Sequence, residues 1–251
     1  MKFFVSTISM GLLCLSVHVN AADTGRVAEL FWCTFNDDKG WSEFEQVNKY
    51  FGDQVKKVGG KADDFDAYVW QPFRANVDFD YLWNGYYDNL RVWGEASQAY
   101  LDSAEGAAAD DRWEELETCG SALANVEMIF DSPDYPVADS TSKKGMLESF
   151  RCKLQPGKTL ADVNAVIKDW HKHINALGIP MDVYMRTPLV SGNDEITHTY
   201  FAVHENAAAY GRNVSAYQTH PGTAAIDKKL SEVQTCTNAL WQSWQVFEGN
   251  N

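Results

Sequence analysis

Apolar and polar positions alternate along Glu29–Phe35 (ELFWCTF), which sets Phe31, Cys33 and Phe35 on one face of a strand and Trp32 on the other. Glu148–Leu154 (ESFRCKL) repeats the pattern, with Phe150, Cys152 and Leu154 on one face and Arg151 opposite. Downstream, Leu160, Val163, Ile167, Trp170, Ile174 and Leu177 step by threes and fours, which predicts one amphipathic helix. Thr159 and Asp162 form a capping-box pattern at its start, and Gly178 is a stop. Phe44, Val47, Phe51, Val55 and Val58 predict a matching helix that ends at Gly59 and Gly60. A strand through Tyr68 or Tyr184 comes next, ended by Pro72 or Pro188, and then an aromatic third strand. Asn89 and Asn206 are placed to cap a second helix, and a fourth strand is expected over Ala122–Phe130 and Ala239–Phe247.

The matching extends beyond pattern. Asp66–Pro72 (DAYVWQP) lines up with Asp182–Pro188 (DVYMRTP), Asn89–Tyr100 with Asn206–Tyr217, and Glu115–Cys119 (ELETC) with Glu232–Cys236 (EVQTC). Four blocks in one order at nearly constant spacing argue for a tandem duplication. Each copy reads β-α-β-β-α-β, a ferredoxin-like α+β unit. The copies are expected over 22–130 and 146–251, joined by a Pro-, Ser- and Asp-containing linker over 131–145.

Residues 1–21 carry Lys2, an apolar run from Phe3 to Val17, and Val19-Asn20-Ala21, which together predict a signal peptide cleaved after Ala21. Export to the periplasm or the medium is expected. The formal charge of −14 disfavours nucleic acid and anionic lipid as partners, since both require clustered Lys and Arg. The nine Trp, eleven Tyr and thirteen Phe supply a large aromatic core.

The element order resembles the dimeric α+β barrel superfamily, which includes the antibiotic-biosynthesis-monooxygenase-like proteins. The local resemblance is clearest at Thr199–Tyr210 (TYFAVHENAAAY), similar to that family's third strand running into an Ala-rich helix. It implies that two ferredoxin-like halves, fused in one chain, press their bare sheet faces together as a pseudo-dimeric monomer. Members of that superfamily include cofactor-independent oxygenases and isomerases acting on small aromatic or polyketide-like substrates, and haem-dependent branches. No catalytic motif of the family transfers by position.

Outside the leader there are four cysteines, at equivalent places in the two copies. Export favours disulfides. The pairing that treats each copy alike within itself is Cys33–Cys119 and Cys152–Cys236, while symmetric pairing across the copies stays open. The cysteines lack the CxxC spacing of a structural metal site, and His171 and His173, two apart on a helix, point in different directions. Gly157-Lys158-Thr159 lacks the earlier glycine of a phosphate-binding loop. From the residues, neither a metal nor a cofactor is expected.

Candidate ligand contacts come from a break in the symmetry. Tyr68 and Tyr184 share the face opposite the helices with Trp70 and Arg186, and Trp32 and Arg151 occupy the same face of the first strands. Where one copy supplies Trp, the other supplies Arg. The structural alternative is Arg stacked on Trp. The functional one is an aromatic-lined cavity with fixed cations, suited to a small apolar or aromatic carboxylate. His198 and His204, matched by Tyr81 and Tyr87, share one face of the third strand and complete the candidate set. Three functions follow: an exported small-molecule binding protein first, a cofactor-independent monooxygenase- or isomerase-like enzyme second, and a structural or interaction protein third. The residues alone do not decide whether the chain catalyses a reaction.

Overall fold

A computed structural model of the chain describes residues 25–132, 144–190 and 195–250; the expected leader and most of the linker lie outside them. The described elements are β1 (Arg26–Phe35), α1 (Trp41–Val58), β2 (Asp66–Arg74), β3 (Tyr81–Tyr87), α2 (Leu90–Leu101), α3 (Ala104–Leu116) and β4 (Glu117–Phe130) in the first half. The second half has β5 (Gly145–Leu154), α4 (Leu160–Leu177), β6 (Asp182–Val190), β7 (His198–His204), α5 (Ala207–Thr219), α6 (Thr223–Val233) and β8 (Gln234–Phe247). The eight strands close into an antiparallel barrel in the order β1-β3-β2-β8-β5-β7-β6-β4. The six helices pack on its outer face.

Local chemistry starts and stops these elements where the sequence expects. Thr159 and Asp162 form a complete capping box at α4, and Gly178 ends that helix in the left-handed conformation, φ 60°, which favours a residue without Cβ. The side chains of Asn89 and Asn206 accept from the backbone N–H of Val92 and Ala209. Two expectations need correction. The single second helix of each half is two helices, with Ser103 capping α3 through the Gly106 N–H. The fourth strands begin earlier, at Glu117 and Gln234, because Thr118 and Cys119 pair with Thr34 and Cys33 of β1, and Thr235 and Cys236 pair likewise with β5.

Cys33 lies directly opposite Cys119, and Cys152 opposite Cys236; both pairs are disulfides, so the pairing within each half holds. Each closes a long loop, with sequence separations of 86 and 84. The chain-entropy argument assigns such a loop about 4–5 kcal/mol at most.

Strand alternation divides the core into an outer layer under the helices and an inner one inside the barrel. Phe44, Phe51, Val69, Tyr81 and Trp83 belong to the outer layer of the first half. Ala28, Trp70, Val126, Phe201 and Trp241 fill the barrel interior. The fourteen-residue β4 and β8 change partners along their length. β4 leaves β1 for β6, so Phe130 packs on Trp170 and His171 of α4. β8 leaves β5 for β2, so Trp244 meets Trp41 and Phe247 stacks on Phe65 at 4.8 Å. Each half therefore completes the other's outer core.

Candidate active site

The barrel interior brings four of the expected residues together. Arg186 is buried, with its guanidinium 4.3 Å from the Trp70 ring centre and 4.4 Å from that of Phe201. It donates to the Tyr86 hydroxyl, while its Nε has no hydrogen-bond partner among the described residues. Tyr184 stacks on Phe201 at 5.0 Å, and Tyr68 meets Tyr86 edge-on. This is the stacked arrangement, cation against ring faces. The aromatic-lined cavity with two fixed cations is thereby corrected. Arg151 sits on the inward face of β5 but at the strand's end, where it is exposed. Trp32 is half-buried and lies over Gly120, its partner on β4, where a Cβ would fall 2.2 Å from the indole Nε1.

His198 and His204 lie on the other face, under the helices, and do not join the inner set. His198 Nε2 and the Tyr200 hydroxyl both bond Gln234 Oε1, at 2.7 and 3.1 Å, so this imidazole is tied into a buried network. His204 is different. It lines a cavity of about 650 Å³ between the outer face of the second-half strands and α4–α6. Phe150, Ile174, Met181 and Tyr200 supply much of its apolar wall. Among the described residues the cavity's one histidine is His204, and Glu148 also lines it.

The sequence places these two groups close together. Glu148 alternates with Phe150 and Cys152, so it points outward from β5 under the helices. In the β5–β7 register Met146 faces His204 and Glu148 faces Ala202, which makes Glu148 and His204 diagonal neighbours, about 7 Å apart by strand geometry. Burial pushes the Glu148 carboxyl above its usual range, while Asn238, donating to it at 3.0 Å, acts the other way. Burial pushes His204 down to about 4, so the ring is neutral at physiological pH.

Asn213, one helix face away on α5, sets the His204 tautomer. Its Nδ2 donates to the Pro180 carbonyl at 3.0 Å, a contact that only an N–H can make. The same Nδ2 lies 3.0 Å from His204 Nδ1, which therefore accepts and leaves the ring proton on Nε2. The site holds a carboxyl able to take or give a proton and an imidazole N–H able to donate to a developing oxyanion.

Sequence reasoning passed over Glu148 and its counterpart Glu29. The available signal was an acid on the apolar face of the first strand in both copies. In the first half the counterpart of His204 is Tyr87, whose hydroxyl donates to Glu29 at 3.4 Å. There the two groups satisfy each other, whereas in the second half each has a separate partner.

A haem, implied by some branches of the resembling superfamily, does not suit this cavity. Among the described residues its lining has Glu148 and Asp227 but no Lys or Arg to pair with propionates. Its one imidazole among the described residues, His204, is already engaged at Nδ1 by Asn213.

The eight-stranded antiparallel barrel with its six outer helices is a fold shared with solved structures. Similar structures are proteins named as monooxygenases from Fusobacterium nucleatum subsp. nucleatum (TM-score 0.59, 10% identity, 90% of this chain and 95% of that one) and Lactobacillus acidophilus NCFM (0.55, 9%, 91% and 98%). A mutant chlorite dismutase from Candidatus Nitrospira defluvii is similar as well (0.51, 11%, 88% and 92%). At these identities the likeness is one of fold. Neither a protein-family model nor a curated protein sequence matches the chain. The reading as an exported binding protein gives way here: proteins sharing this architecture over about nine-tenths of the chain carry enzyme names, and the rings meant to hold a ligand pack on Arg186 and on one another.

Proposed function

We propose that the chain is an enzyme working without a bound cofactor, moving a proton on a small aromatic or polyketide-like substrate held in the second-half cavity. The carrying observation is the diagonal pair Glu148 and His204 in an otherwise largely apolar cavity. Glu148 as carboxylate takes a proton from a carbon activated by a carbonyl group. The C–H electrons move to the carbonyl oxygen, and His204 Nε2–H donates to the resulting enolate. Return of the proton to a different atom completes an isomerisation. In a monooxygenase course, dioxygen is the oxidant: a CH₂ and O₂ become C=O and water, and the substrate supplies the electrons.

The repeated blocks and the twice-repeated element order support a fusion of two ferredoxin-like halves, each with one added helix, acting as a pseudo-dimeric monomer. Two disulfides, and no described helix long and apolar enough to cross a membrane, are compatible with a periplasmic or extracellular place reached through the leader at 1–21. The partner we assign is the small-molecule substrate, with no nucleic acid or membrane.

Anthrone, an enolisable tricyclic ketone, is a suitable probe. The protein is expected to accelerate dioxygen uptake by anthrone, and Glu148→Gln to slow it by roughly 10²–10⁴-fold. Uptake no faster than in buffer, or equal rates for folded wild type and variant, would overturn the assignment.

A further inference from the structure

The first half carries its own cavity, about 480 Å³, between the outer faces of its strands and α1–α3. Its chemistry departs from the second-half cavity at matched positions. Tyr200, Tyr210, Leu230 and Met181 of the second half correspond to Trp83, Trp93, Trp113 and Phe65 of the first, all of which line this space. The rings form a box: Phe51 lies 5.9 Å from each of Trp83, Tyr100 and Trp113, centre to centre. Gln234 corresponds to Glu117, and with Glu29, Asp110 and Glu114 the wall carries, among the described residues, four carboxylates and neither Lys nor Arg.

Three of those carboxylates are held by phenols. Tyr81 donates to Glu117, Tyr87 to Glu29 at 3.4 Å, and Tyr100 to Asp110 at 2.7 Å. A phenol satisfies a lone pair and fixes the carboxylate's direction, but leaves its charge without a counter-ion. Without one, burial holds Glu117 at about 8 and Glu29 above its usual range, so Glu117 keeps its proton near neutral pH until an entering cation displaces it. Ring faces carry the negative side of the aromatic quadrupole, so walls of rings and carboxylates repel an anion and attract a cation. A bare metal ion gains little from such walls, because ring carbons are not ligands to it. An alkylated ammonium uses both parts: its methyl groups pack on the rings while its charge faces the acids.

We infer that this cavity binds a small organic monocation of the quaternary ammonium class, with Trp83, Trp93 and Trp113 receiving the alkyl groups and Glu117 and Glu29 the charge. The site is separate from the Glu148 cavity and stands whether or not that cavity is catalytic.

The test titrates the full disulfide-bonded protein with choline, read by tryptophan fluorescence and calorimetry, against neohexanol, its uncharged carbon isostere. Choline is expected to bind saturably at one site, with neohexanol weaker by about tenfold or more. Glu117→Gln, which installs the residue of the other half, is expected to weaken choline by about tenfold, and Trp113→Leu to weaken it similarly. Asp53→Asn, on the exposed side of α1, controls for net charge and is expected to leave binding unchanged. Circular dichroism identifies any variant that fails to fold, in which case the other decides. Equal affinity for neohexanol, no saturable choline binding, or full choline affinity in a folded Glu117→Gln or Trp113→Leu protein would overturn the inference.

Discussion

Glu117 and Gln234 occupy matched positions at the starts of β4 and β8, and only the acid titrates. Burial raises the Glu117 carboxyl to about 8 in the folded chain. The folded state therefore holds a proton that the unfolded state, titrating near 4.3, has released. The stability this contributes is complete below the unfolded value and is lost as pH rises towards 8. Urea unfolding at pH 5 and pH 8 should show a smaller decline in Glu117→Gln than in wild type; an equal decline would contradict the shift. Alternation along β1, β2, β5 and β6 made the side of each residue legible, which is why Tyr68, Trp70, Tyr184 and Arg186 were placed together from sequence. It carries no information about depth along the barrel axis. Arg151 and Arg186 share a face, yet one ends at solvent and the other is enclosed. Glu148 stayed illegible for a related reason: a single acid in a strand reads alike whether a cavity or water lies beyond it.

The helices with a continuous apolar stripe, α1 and α4, were legible, α4 with both its caps and α1 with its Gly59 end. α3 was not, since Ala104–Leu116 (AEGAAADDRWEEL) offers small and charged residues and only Trp113 and Leu116 as large apolar ones. The exchanged ends of β4 and β8 were equally hidden, because pairing with a distant strand leaves no local pattern. Those ends bind the halves to each other. Phe247, from the last strand, stacks on Phe65 and meets Phe51, both of the first half. Phe247→Ala should cost about 3–5 kcal/mol in chemical unfolding, and signals from both halves should shift to one lower midpoint. A loss confined to signals from the second half would show that the strand end does not join the two cores.

At the scale of the molecule, eight strands close a barrel lined inside by buried rings, and a cavity lies under the helices of each half. Matched scaffolds carry different chemistry: rings and carboxylates in the first half, a carboxyl and a neutral imidazole in the second. The disulfide pairing was legible in the matched placement of the cysteines, and the barrel in an element order that resembles a known family. The division of labour between the cavities was not, because it depends on which side chains meet across strands and helices. The central claim is that the second-half cavity acts through Glu148 and His204 without a prosthetic group. Anthrone turnover by haem-free protein, followed before and after addition of haemin with the visible spectrum recorded throughout, tests it most directly. The account predicts full turnover before addition and no saturable Soret band after it. Turnover that begins only with haemin, together with a stoichiometric Soret band lost in His204→Ala, would contradict it.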